Sequence, residues 1–276
     1  MCRKRALLAT VLAPLLASSL LMGAMAHAAD KPAPTAQAPA AAAPQPPRKA
    51  SPEQRVEMRR ADPLTRAAFW SNELELDGRD LEAGVGLSQA LRALGRYDEA
   101  ADAASRVLIG APDNYGALME LARANIERGQ GFYAIDPARK AAALQPRDWR
   151  PQSLLGVAYE QAKRDDEALA AHRQAVALAP AEASPLANLA MHLAQGGDLT
   201  GAEALLRKAS ALPTATIQVR QNLALVVGLQ GRLGEAERLA RQDLPPELVD
   251  NNLAWLRAAT GQASATRSWD AMKAGG

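Results

Sequence analysis

Cysteine is almost absent from this chain: Cys2 is the only one among 276 residues. No intramolecular disulfide can form, and a cysteine-based metal site is excluded. Aromatic residues are scarce as well, at 4%. Alternating polar and apolar runs are nearly missing, so no sheet is expected. An excess of one charge sign is also lacking. The formal net charge is +2, and Arg3, Lys4 and Arg5 sit at the extreme N-terminus. Without them 29 basic residues (32 − 3) face 30 acidic ones. That balance offers no polybasic surface for nucleic acid. The short groups Arg59-Arg60 and Arg147/Arg150 read as solvated faces. What the chain does have is Ala and Leu, which carry most of its 48% apolar content and suit closely packed helices.

Motifs of catalysis are missing too. There is no phosphate-binding glycine loop, nucleophile elbow or paired-cysteine site. Three histidines occur, His27, His172 and His192. The last two have no partner at ligand spacing and read as structural. Asp165-Asp166-Glu167 falls at a helix start, where carboxylates complement the helix dipole. The chain is therefore read as a non-enzyme without metal or cofactor.

The first fifty residues do not read as part of a fold. Residues 1–28 have the form of a secretory signal peptide: a basic start, an apolar stretch from Leu7 to Met25, and Ala26-His27-Ala28 as a small-x-small site. Cleavage between Ala28 and Ala29 would release the chain to the periplasm. The alternative is an uncleaved anchor, since the stretch is long enough to span a bilayer. Cys2 precedes the apolar region, so lipoprotein processing is not expected. Residues 29–52 are rich in Pro and Ala and read as a disordered linker.

From Leu81 the sequence repeats itself every 34 residues. Gly95, Ala100 and Pro112 recur as Gly129, Ala134 and Pro146, then as Lys163, Ala168 and Pro180. Gly197 and Ala202 follow, with Pro213 slipped by one place, then Gly231 and Ala236. Five repeats result: 81–114, 115–148, 149–182, 183–216 and a shortened 217–246. Each first helix carries apolar or small residues at repeat positions 4, 7, 8 and 11, one stripe of a helix. Small residues at positions 8, 20 and 27, such as Gly156, Ala168 and Ala175, let paired helices approach closely. Glycine near position 15 ends the first helix. Asp98 and Asp165 are expected to cap the second, and proline at position 32 stops it.

Asn-Leu-Ala recurs at 188–190, 222–224 and 252–254. The last interval is 30 rather than 34, which predicts an early end to the fifth repeat at Pro245-Pro246. Residues 247–261 then form a capping helix. Residues 53–80 form a helical lead-in whose Pro63–Leu76 is a lone second helix. Residues 262–276 are expected to fray.

This is the tetratricopeptide repeat (TPR) pattern. It implies an all-α fold, a right-handed α-solenoid of about five helix pairs. The concave face of such a solenoid is lined by first helices and binds protein partners. From the register, its groove candidates are Met119, Arg123, Ile126 and Glu127 in the second repeat. The third adds Arg150, Ser153, Val157, Glu160 and Gln161. Ala187, Asn188, Met191 and Gln195 follow in the fourth, and Gln218, Gln221, Asn222 and Leu225 in the fifth. An Asn amide both donates and accepts, so Asn188 and Asn222 suit an extended peptide backbone.

More particular stretches are 221–258 (QNLALVVGLQGRLGEAERLARQDLPPELVDNNLAWLRA), 129–146 (GQGFYAIDPARKAAALQP) and TRSWDAM at 266–272. They resemble the TadD proteins of tight-adherence (Flp) pilus assembly. The resemblance implies a non-enzymatic assembly factor in the bacterial envelope, with the pilus secretin or another pilus component as partner. Many such proteins are lipoproteins, and this sequence departs from them in lacking the lipidation cysteine. Membrane contact would then be indirect, through partners, or through an uncleaved signal. The alternative is a general periplasmic scaffold of another envelope pathway.

Overall fold

A computed structural model describes residues 48–261. The signal segment, nearly all of the Pro/Ala linker, the tail 262–276 and its TRSWDAM stretch lie outside the described residues. Within them the chain is all-helical, with no strand.

The period is visible in where helices begin. First helices are α3 (Leu81–Ala93), α5 (Tyr115–Glu127), α7 (Trp149–Gln161), α9 (Ala183–Gln195) and α11 (Ile217–Leu229), each starting 34 residues after the last. Second helices are α4 (Tyr97–Gly110), α6 (Gly131–Leu144), α8 (Asp165–Leu178), α10 (Leu199–Ser210) and α12 (Leu233–Ala240), at the same interval. Before them come α1 (Pro52–Met58) and α2 (Pro63–Leu76), and after them α13 (Pro246–Ala259). Helix α2 starts 34 residues before α4, so it occupies the register of a second helix.

Local chemistry sets these ends. Most first helices are capped by a side chain: Asp80 accepts from the Ala83 N–H, Asn114 from Ala117, Asp148 from Arg150 and Thr216 from Val219. Helix α9 has no such residue, and the Thr214 hydroxyl accepts from the Ala183 N–H instead, at 3.0 Å. The turn between paired helices needs one left-handed residue. Gly95, Gly129, Gly197 and Gly231 fill that place in four repeats, and Lys163 (φ 61°) in the third.

The second helices begin differently from expectation. Helices α4 and α8 have no side-chain cap hydrogen bond. Asp98 and Asp165 lie inside the first turn, one residue or more past the cap position, where they face the dipole without capping. Asp98 instead pairs with Arg128 at 2.7 Å.

The linker also ends earlier than expected. The Ala50 N–H donates to Glu73 Oε1 at 3.0 Å, and Ser51 forms a capping box with Gln54. Lys49 pairs with Asp77. Arg55 ties the lead-in to the array: it bonds Glu73, Asp80 and Glu82 and stacks 5.7 Å from the Trp70 ring centroid. Trp70 in turn seats against the bare α-carbon of Gly86.

The backbone of every first helix closely approaches that of the next first helix, whereas among the described residues second helices meet one another only through long side chains, as Arg207 of α10 does with Glu235 of α12. Elements are closer on the inside of a curved stack, so the first helices form its inner face. At the C-terminal end α13 packs on α11 and α12 and buries Val249, Leu253 and Leu256. The buried apolar side chains fall into clusters. One runs from Ala183 through α13, and Val176 is the residue of α8 that packs against it. Another joins α5 to α8 and ends at Ala171. The α8–α9 seam is thus one place where the apolar core is interrupted.

Candidate functional site

The inner face can now be read residue by residue. Met119, Ser153 and Ala187 do not line it: they are 3%, 6% and 5% exposed. Each stands next to an apolar position of its helix, and the neighbouring helices cover it. The register assigned them to the groove because it counts turns of one helix and not the width of the next.

The remaining candidates reach solvent, yet they differ in what they already hold. In the second repeat Arg123 bonds Glu120 at 2.5 Å. Arg92 bonds the same Glu120 at 2.9 Å and Glu127 at 2.7 Å. Glu120 is buried, so this network of two arginines neutralises a desolvated carboxylate. Gln161 donates to the Ile126 carbonyl at 2.9 Å and Arg150 pairs with its own cap residue, Asp148, at 2.5 Å. Ile126 and Val157 are half-buried beside them.

The fourth and fifth repeats are different. Asn188, Gln195 and Gln221 make no side-chain hydrogen bond among the described residues, and all three reach solvent. Gln218 donates to Asn222 Oδ1 at 2.9 Å, which leaves the Asn222 amide N–H groups free. Met191 and Leu225 lie among them, half-buried against the core. The inner surface of α9 and α11 therefore presents unspent amides beside flexible apolar side chains. That combination can pair with a peptide backbone and cover an apolar side chain.

Two anchors of the stack carry shifted carboxyl groups. Burial pushes the Asp148 carboxyl up, but hydrogen bonds from Arg150 and the Tyr115 hydroxyl outweigh it and hold it at about 2. The hydroxyl donates at 2.5 Å, and burial together with that bond pushes Tyr115 up to about 12. Arg232, with Gln230 and Arg207, holds Glu203 at about 2. These groups tie successive helix pairs together.

One cluster was not legible from spacing. Glu160 ends α7, His172 is on α8 and His192 on α9, yet Glu160 Oε1 lies 3.0 Å from His172 Nε2 and 2.8 Å from His192 Nδ1. The two rings are 5.5 Å apart. Glu160 and His192 are 32 residues apart, close to one period, which sets them side by side on successive first helices. That offset was the available signal. The reading of both histidines as lacking a ligand-spaced partner holds along the chain and fails in space.

Residues 153–185 match the family model of the tetratricopeptide repeat. Among solved structures, the chain is similar to TTC0263, a thermophilic TPR protein of Thermus thermophilus. The two are 27% identical with a TM-score of 0.56, over 64% of this chain and 98% of that one. It is also similar in fold to MamA from Desulfovibrio magneticus RS-1, at 23% identity and a TM-score of 0.52, over 58% of this chain and 91% of that one. A tetratricopeptide repeat protein of Parabacteroides merdae ATCC 43184 shares the fold at 14% identity and a TM-score of 0.62, over 75% and 86% of the two chains. No curated protein matches the chain.

Proposed function

We propose that this chain, which carries a tetratricopeptide-repeat match and fold, works as a protein-binding assembly factor of the bacterial envelope, holding a partner segment along the inner face of α9 and α11. The observation that carries the reading is the set of unspent amides there, Asn188, Gln195 and Gln221, beside Met191 and Leu225. An extended segment would satisfy those amides through its backbone and bury an apolar side chain between them. The first three repeats then act as a stiff stem, since their inner polar groups are engaged with one another.

The N-terminal signal pattern supports action in the periplasm. The DLPPE stretch at 243–247 and its flanks support a role in tight-adherence pilus assembly, with the secretin or a neighbouring pilus component as the bound protein. Co-purification from envelope extracts, followed by mass spectrometry, tests this. The intact chain should recover a pilus component, and the triple variant Asn188→Ala, Gln195→Ala, Gln221→Ala should lose it while remaining helical. Equal recovery by a folded triple variant removes the groove reading. Recovery of a different envelope complex by the intact chain keeps the groove and replaces the pilus assignment with a scaffold of another pathway.

A further inference from the structure

The Glu160–His172–His192 cluster is placed at the α8–α9 interruption of the apolar core. It draws together the end of α7, the middle of α8 and the end of α9, and so bridges the third and fourth repeats. We propose that these three side chains form a binding site for a divalent transition-metal ion of the zinc class, which braces this seam.

Charge is the first reason. Other buried carboxylates of the array are paired with arginine: Glu73 with Arg55, and Glu120 with Arg92 and Arg123. Glu160, with 18% of its side chain exposed, has no arginine or lysine partner among the described residues and meets only two imidazoles. The carboxylate thus lacks the fixed cation that its counterparts have, a place that a divalent metal ion would take.

Ligand chemistry is the second. Two imidazole nitrogens and one carboxylate oxygen are a recognised three-ligand set for zinc, with a fourth position left for water. One ligand atom from each residue lies within 4.8 Å of the others. Tetrahedral zinc–ligand bonds of about 2.0–2.2 Å set the ligand atoms about 3.4 Å from one another. The widest separation therefore has to close by up to about 1.4 Å, which rotation of the partly exposed Glu160 and His192 side chains supplies.

Preorganisation is the third. The His172 ring is fully buried and lies on the bare α-carbon of Gly156, so its position is set by packing. Its Nδ1 has no hydrogen-bond partner. The Glu160 carboxylate therefore holds the ring proton on Nε2 in the metal-free protein, and a bound cation would shift that proton to Nδ1 and take the Nε2 lone pair. Solvent reaches the cluster from the Glu160 and His192 side, which is the side of the first helices. Bound metal would link helices of two repeats that share little apolar contact.

The test uses the full chain, free of any polyhistidine tag, in a Cys2→Ala, His27→Ala background so that no other Cys or His competes. Zinc ion is titrated against a chromophoric chelator at pH 7.5. One equivalent should bind, and His192→Ala should weaken it at least 100-fold, with Glu160→Gln at least 10-fold. Both changes are at partly exposed groups, and circular dichroism of the metal-free variants should match the parent. Cobalt ion should give the visible absorption of a four-coordinate site in the parent and not in His192→Ala. Absence of stoichiometric zinc binding overturns the proposal, as does equal affinity in a folded His192→Ala variant. The outcome is independent of partner binding at α9 and α11, because the probe is the metal alone.

Discussion

The imidazole of His172 lies against the α-carbon of Gly156, so that a methyl group at residue 156 would stand 2.3 Å from His172 Cε1. The small residue at repeat position 8 is thus not a generic spacer in the third repeat. It is the floor under a buried ring. Gly156→Ala must displace that ring or spread α7 from α8, and the expected cost is about 1–3 kcal/mol. Urea denaturation should show a lowered midpoint with an unchanged slope. A stability equal to the parent would mean that the seat is not tight.

Lys163 offers the opposite change. It holds a left-handed backbone where the other repeats have glycine. A side chain in that conformation costs roughly 1–2 kcal/mol, and glycine gives back part of it through chain entropy. Lys163→Gly should therefore stabilise by about 0.5–1 kcal/mol, read as a raised melting temperature. A fall in melting temperature would show that the lysine contributes something beyond its backbone.

The N-terminal lead-in depends on one cation. Arg55 neutralises Glu73, which is 2% exposed, and also holds Asp80 and Glu82. Arg55→Met leaves the Glu73 carboxylate buried without its charge partner, at a cost of about 3–5 kcal/mol. Arg55→Met combined with Glu73→Gln should recover a large part of that loss. Denaturation of the single and double variants measures the coupling, and simple additivity would refute it.

Stability should also depend on pH in a stated direction. Asp148 and Glu203 are both held at about 2 in the folded chain, below their unfolded values near 4. The folded state binds these protons less readily, so their contribution is complete above about pH 4 and fades as pH falls toward 2. Tyr115 is raised to about 12, so its contribution is present below about pH 10 and is lost as pH rises through 12. Comparing denaturation at pH 7 and pH 3, Asp148→Asn and Glu203→Gln should each reduce the drop seen in the parent. An unchanged drop would exclude these two groups as its source.

Much of this molecule could be read before any coordinate. A period that recurs in Gly95, Gly129, Gly197 and Gly231 reports the same backbone turn four times, and repetition is what makes a weak local signal strong. The lone second helix at Pro63 and the short fifth repeat ending before Pro245-Pro246 were legible for the same reason. Side-chain depth was less so. Met119, Ser153 and Ala187 sit on the inward arc of their helices, yet adjoining helices cover them. The cap roles expected of Asp98 and Asp165 failed because Arg96 and Arg164 occupy the cap positions, which leaves both aspartates inside the first turn. The Glu160–His172–His192 cluster and the Arg55 knot were invisible to spacing along one helix, since each is assembled from several.

The central claim is that a partner lies along the inner face of α9 and α11. The most direct measurement is site-specific photo-crosslinking in cells, with a photoreactive phenylalanine analogue at Gln195 or Gln221 on that face and at Arg173 or Gln174 on the exposed surface of α8. Adducts with a protein partner should form from Gln195 and Gln221 and be absent from Arg173 and Gln174. Adducts confined to the two α8 positions would contradict it.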